Sequence, residues 1–104
     1  MTIDLDDIMK ALAHPVRREI LTWLKDPLAC FPDQAHSNEH GVCAGQIDQR
    51  AGLSQSTISA HLATLQRSGL ITSKKVGQWH FFKRNEEVIQ AFVEALVNEL
   101  NNPS

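Results

Sequence analysis

The stretch CAGQIDQRAGLSQSTISAHLATLQRSGLITSKKVGQWHFFK, residues 43–83 of a 104-residue chain, decides the fold. After Cys43, Ile47 and Ala51 lie at helical spacing, and Gly52 closes a helix expected over residues 44–51. Leu53 anchors a turn, and Ser54 is a good N-cap for a second helix over residues 55–67, with Ile58, Leu62 and Leu65 as its core face. Ser68-Gly69 stops it. Residues 70–75 and 78–83 then read as two short strands around Val76-Gly77, and the alternation of their neighbours places Trp79 in the core. Helix, tight turn, hydroxyl-rich helix and basic hairpin, in that order, predict a winged helix-turn-helix, an arrangement that sets one helix into a DNA major groove.

Charge agrees with that order. Residues 44–84 carry six Lys or Arg (Arg50, Arg67, Lys74, Lys75, Lys83, Arg84) against one acid, Asp48. The rest of the chain carries four bases and eleven acids, so a net charge of −2 conceals a DNA-reading unit of +5.

Working outward, residues 3–13 read as a helix with Asp4 as cap and Leu5, Ile8, Ala11 and Leu12 on one stripe. His14-Pro15 interrupts it and opens the next helix, whose apolar face is Val16, Ile20, Leu21 and Leu24. Residues 26–41, with Pro32, Asn38 and Gly41, are expected to form one long surface loop. Asn85 caps a last helix over residues 86–100, where Ile89, Phe92, Val93, Leu96, Val97 and Leu100 draw a stripe wider than one small core needs. The expected fold is therefore a single domain over residues 1–104, mainly α with a small β-hairpin, dimerising through its N- and C-terminal helices. The seam would use Leu5, Ile8, Leu12, Ile89, Phe92, Val93, Leu96 and Leu100. No run reaches bilayer length and the acidic N-terminus lacks the pattern of a signal peptide, which implies a cytoplasmic chain with no membrane partner and with reduced cysteines.

The partner implied by the reading helix is double-stranded DNA. A recognition helix enters the groove by its N-terminal turns, which here carry Gln55, Ser56, Thr57 and Ser59. Gln55 can pair bidentately with adenine, and the hydroxyls can bond bases or phosphates. His61 falls three residues after Ile58 and is placed either against the core or on DNA; Arg67, late in the helix, faces a phosphate or an acid. Lys74, Lys75 and Gln78 flank the hairpin turn, within reach of phosphates or the minor groove. A catalytic pairing among the two cysteines and five histidines is the rival class, but a winged domain of this size leaves no deep cleft. A winged domain that binds only protein is a further alternative, disfavoured by the basic, hydroxyl-rich segment.

Three stretches resemble the ArsR/SmtB family of small winged-helix repressors: ALAHPVRREIL (residues 11–21), LSQSTISAHLATLQRSGLI (residues 53–71) and GQWHFF (residues 77–82). The resemblance implies a homodimer, paired through its first and last helices, that binds an inverted-repeat operator and leaves it when a metal, a metalloid or an oxidant acts. Metal-sensing relatives often carry paired cysteines at the start of the third helix. In GVCAG, Cys43 matches the first, but Gly45 stands where the second would be. Another branch binds zinc between the last helices, and here no histidine follows His80.

What remains is Cys30, His36, His40 and Cys43. Cys30 and Cys43 bracket the loop and can act as a dithiol switch if their α-carbons approach within about 7 Å. Cys43 lies at a helix N-terminus, which favours the thiolate and makes it a candidate for attack by an electrophile. All four residues are also an S2N2 set suited to zinc or another thiophilic metal, at a spacing that is not a standard structural pattern. The bland alternative is Cys43 as a packing residue and Cys30 as incidental.

Overall fold

The computed structural model describes residues 2–32 and 40–102. Asp4 caps α1 (Leu5–Leu12), its Oδ1 accepting the Asp7 N–H at 3.0 Å, with Asp6 and Asp7 in the favourable first turn. His14 caps α2 (Pro15–Lys25) through Nδ1, which accepts the Val16 N–H at 3.3 Å, and Pro15 takes the first helical position. Arg17 and Arg18 reach back to the last carbonyls of α1: Arg17 Nε donates to Ala11 O at 2.7 Å, and Arg18 Nη1 donates to Leu12 O. The two helices are thereby fastened at their corner.

Residues 26–41 are not all loop. Asp26 and Pro27 supply a cap and a first helical residue, and a single turn, α3 (Pro27–Cys30), follows. A two-residue strand, β1 (Val42–Cys43), was also not expected. It is too short to show alternation and exists because Val42 and Cys43 pair with Phe82 and Phe81. Gly41 leads into it at φ +108°, where an added Cβ would run into the Phe82 carbonyl and lie 2.7 Å from the Lys83 side chain. Only glycine lets the chain pass there.

Helix α4 (Ala44–Ala51) ends on Gly52 in the left-handed region, φ +66°, and α5 (Gln55–Arg67) follows after the turn. The hairpin β2 (Ile71–Val76) and β3 (Trp79–Arg84) begins one residue later on each strand than the sequence suggested. The sheet is antiparallel in the order β1-β3-β2. Asn85 caps α6 (Glu86–Asn101), its Oδ1 accepting the Val88 N–H at 3.3 Å, and its own N–H bonds Leu70 O at 2.9 Å. The mainly α, winged architecture is the one expected.

The core joins all layers: Ile20, Ile47, Ile58, Leu65, Leu70 and Ile71 are at most 1% exposed. Two expectations fail on burial. Trp79 is 41% exposed, because the register puts it opposite Val76 at the hairpin tip while Phe81 and Phe82 take the buried positions. Ile8 and Phe92, expected in a dimer seam, are 0% and 8% exposed within one protomer. They lie on the inward sides of α1 and α6 and are used up by the core. Leu5, Leu12, Ile89 and Leu96 are half-buried beside them, whereas Met9, Val93, Val97 and Leu100 face outward.

Candidate nucleic-acid interface

The start of α5 is organised by Ser54. Its Oγ accepts the Thr57 N–H at 3.2 Å, donates to Thr57 Oγ1 at 2.8 Å and lies 3.3 Å from Ser56 Oγ. The cap thus orders two neighbouring hydroxyls as well as the backbone. Gln55, Ser56, Thr57 and Ser59 are all exposed, while Ile58 is fully buried beneath them. The first two turns therefore offer an amide and three hydroxyls, the chemistry that base edges and phosphates accept.

His61 sits differently. It is half-buried, and its ring centroid lies 4.5 Å from that of His14 at the head of α2. Burial, and then the neighbouring His14 and Arg17, hold the His61 imidazole below its usual pKa of 6.5. That geometry makes it a contact between α2 and α5. Arg67 is exposed in the last turn, with Nη2 donating to Thr64 Oγ1 at 3.3 Å.

The wing carries Lys74, Lys75 and Gln78 at exposed positions. It is tied to the reading helix by a bond the sequence did not suggest: Gln66 Nε2 donates to Ser73 Oγ at 2.9 Å. A polar residue late in α5 facing a serine early in β2 is a signal only once the two elements are known to pack. Two of the six bases in the +5 segment are held by groups of their own protomer, Arg84 half-buried and Arg50 at an exposed position. Arg84 bonds Glu86 at 2.8 and 3.0 Å and Leu21 O at 3.2 Å. Arg50 Nη1 donates to Cys30 O at 2.9 Å, with its guanidinium 5.1 Å from the Trp23 ring and 5.9 Å from Phe31. Arg67, Lys74, Lys75 and Lys83 remain exposed for a polyanion.

Cys30 and Cys43 are both thiols, not joined in a disulfide. Cys43 is 7% exposed and occupies the N-cap of α4, though its side chain makes no capping bond there. Cys30 ends α3, half-buried, beside a shallow hollow of about 200 Å³ lined also by Gln46, Gln49 and Arg50. Access thus favours Cys30 over the Cys43 that helix position had favoured. Of the other two candidate ligands, His40 packs its ring 5.6 Å from Phe81, and His36 lies outside the described residues. Among the described residues, no three His, Cys, Asp or Glu side chains gather in a group able to hold a metal ion. The donors that can be placed do not fit the S2N2 expectation. None of the described helices is long and apolar enough to cross a membrane.

Comparison with known proteins agrees with this geometry. Residues 39–73 match the model of a family described as bacterial regulatory protein, arsR family. The chain is 36% identical over 96 residues to the HTH-type transcriptional regulator YbzH of Bacillus subtilis, covering 90% of this chain and 96% of that one. It is 35% identical over 89 residues to the transcriptional activator HlyU of Vibrio cholerae, covering 86% and 70%. The transcriptional repressor SdpR of Bacillus subtilis is 27% identical over 97 residues, with 93% of each chain covered. A solved structure of the Vibrio cholerae HlyU superposes with a TM-score of 0.62 over 91% of this chain and 88% of its own, at 30% identity. A second structure, described as reduced HlyU, gives 0.59 over 93% and 87%, at 28% identity. With a reading helix, a basic wing and relatives matched over 70% to 96% of their length, the chain belongs to the ArsR/SmtB family of winged helix-turn-helix, DNA-binding transcriptional regulators, which are not enzymes.

Proposed function

We propose that the chain is a homodimeric repressor that reads an inverted repeat with one α5 from each protomer and releases it when thiols beside α4 are oxidised. The observation that carries the reading is the capped α5, whose exposed polar first turns stand on a buried Ile58–Leu62–Leu65 face beside a lysine-bearing wing. Pairing through the outward apolar side of α1 and α6 supports the dimer. Two-fold symmetry then doubles the phosphate contacts of a domain that offers few on its own. SdpR is named a repressor and HlyU an activator, so related chains serve both directions of control.

For release, the more exposed Cys30 meets a peroxide first. Its sulfur takes one peroxide oxygen to become a sulfenic acid, and water leaves. Cys43 then condenses with it to a disulfide, releasing a second water. Disulfide geometry needs α-carbons within about 7 Å. Drawing Cys30 toward Cys43 pulls on the Arg50 bond in the last turn of α4 and on the cap at its first, and α4 packs directly on α5. That HlyU has been studied in a reduced form is consistent with thiol chemistry in a relative.

The test is fluorescence anisotropy on an operator duplex, first reduced and metal-free, then after mild peroxide treatment. Tight binding lost on oxidation and restored by reductant supports the switch, and both Cys30→Ser and Cys43→Ser should keep reduced binding while losing release. Release that ignores peroxide but follows a zinc titration would replace thiol oxidation with metal as the effector. Failure of the reduced protein to bind any duplex specifically would leave a protein-interaction module.

A further inference from the structure

Among the described residues, the large apolar side chains left exposed fall mostly into two places. One is the outward side of the terminal helices. The other is the tip of the wing, where Val76 and Trp79 face each other across the hairpin at 39% and 41% exposure. The buried ring positions of β3 are Phe81 and Phe82, on opposite faces of the strand at 2% and 7% exposure, and Trp79 lies beyond them at the tip.

The setting of this pair names its partner. Register and pleat put Lys74 and Lys83 on the same side of the ribbon as Val76 and Trp79. Lys75 and His80 face the other side, the side on which Ser73 is bonded by Gln66 of α5. Neither β2 nor β3 contains an acid. An apolar leading edge with cations on both flanks is complementary to a groove whose floor is base and sugar and whose two walls are phosphate. A two-stranded ribbon is broader than an undistorted minor groove, about 6 Å across, so its tip rather than its flank would enter. Apolar side chains that enter a minor groove do so by parting a base step, which kinks the duplex and adds contact area.

We infer that Trp79, backed by Val76, is a DNA-contacting residue that seats the wing tip in the minor groove beside the major-groove site of α5. The inference rests on the DNA-reading function above. It adds a contact that is neither charge nor hydrogen bond: the duplex is read partly by how readily it opens at the wing. Each dimer would press two such tips on the outer parts of its operator, so flexible pyrimidine–purine steps there should bind best.

The chain has two tryptophans, Trp23 and Trp79, which makes the contact measurable. Trp23→Phe keeps a ring under Arg50 and leaves Trp79 as the sole indole. The probe is the duplex enriched from a random-sequence library by the full chain, with heparin as a polyanion lacking bases. Trp79 emission should be quenched by the duplex and unchanged by heparin. Trp79→Ala should weaken duplex binding about tenfold or more, with the salt dependence unaltered because no charge is removed, and Trp79→Phe should restore most of the loss. Unchanged emission on duplex binding, or Trp79→Ala within twofold of the parent, overturns the inference while leaving the DNA-reading function intact, and would point to a protein partner for the tip. Should Trp79→Ala fail to fold, the emission of the Trp23→Phe protein decides alone. Enrichment of no duplex at all overturns the DNA-reading function together with this contact.

Discussion

The two exposed apolar places differ in their surroundings more than in their residues. On α6, Val93, Val97 and Leu100 stand 45%, 48% and 74% exposed on a helix with four glutamates and no base. At the wing, Val76 and Trp79 stand comparably exposed on strands with four Lys or Arg and no acid. Hydrophobic surface is not selective by itself, because water rejects it equally at both sites. The charge around it selects what covers it. An acidic rim repels DNA and leaves another protein surface as the cover, and a second copy supplies one of matching shape. A basic rim admits a polyanion.

Breaking the acidic-rimmed side should have the largest effect. Val97→Glu puts a charge in the middle of the outward stripe without touching the core, since Val97 is absent from the buried set. Sedimentation should show monomers, and operator affinity should fall about a hundredfold or more, because each half-site then binds without the effective concentration that pairing provides. The contrast sharpens with salt. Raising salt should weaken DNA binding through counterion release, yet leave dimerisation unchanged or tighter, because it screens the two acidic rims from each other. A dimer that dissociates in high salt would show that ion pairs, not the apolar stripe, hold it.

At the basic-rimmed side the expected losses are smaller and electrostatic. Lys74→Gln and Lys75→Gln should each lower the steepness of the log affinity against log salt plot by about one unit, almost equally for all sequences. Arg84→Gln should leave that slope unchanged, because Arg84 is occupied with Glu86 and Leu21 O. Equal slope changes for Lys74, Lys75 and Arg84 would mean that the intramolecular bonds of Arg84 open on DNA.

These comparisons also mark what the sequence could show. Periodicity sufficed for α5, where Ile58, Leu62 and Leu65 are buried and Ser54 caps as expected. It misled at α6, because a stripe reports burial but not against what: Phe92 goes into the protomer core and Val93 outward, one residue apart. Trp79 failed for a related reason. Alternation fixes which residues share a face, but not where the sheet runs past the helix that covers it. The turn α3 was legible in Asp26-Pro27, an N-cap followed by a first-turn proline, and was hidden only by the loop composition around it. Strand β1 was not legible, since two residues carry no period and their pairing with β3 is long-range. For the sensor residues, spacing gave four candidates. What separates them is burial and partners, such as the Arg50 bond to Cys30 O, which no local pattern encodes.

Ser54 joins fold and reading helix, so its removal should register in both at modest size. Ser54→Ala deletes the acceptor for the Thr57 N–H and the anchor of the Thr57 hydroxyl. A loss of about 1 kcal/mol in denaturant unfolding is expected from the cap, together with a few-fold loss of operator affinity. Ser54→Asp restores the acceptor and should recover the stability. It also places a negative charge at the DNA-facing end of α5, so affinity should fall further. Recovery of both together would mean that the start of α5 does not face phosphate.

The smallest effect expected is a pH dependence where α2 meets α5. His61 is held below its usual pKa by burial first, and then by His14 and Arg17. An unfolded chain therefore binds a proton at His61 more readily than the folded one. Stability from this group is present above pH 6.5 and is lost as pH falls through that value toward the lower folded one. Asp48 runs the other way: burial raises its pKa above 3.8, so its contribution improves as pH falls and acts in a lower window. Thermal midpoints should decline from pH 7.5 to 5.5, and His61→Gln should flatten part of that decline while leaving the pH 7.5 value nearly unchanged. The operator affinity of His61→Gln at pH 7.5 then separates two roles for the ring. Near-parental affinity fits a contact between α2 and α5, and a loss confined to operator sequence would return His61 to the DNA-reading set.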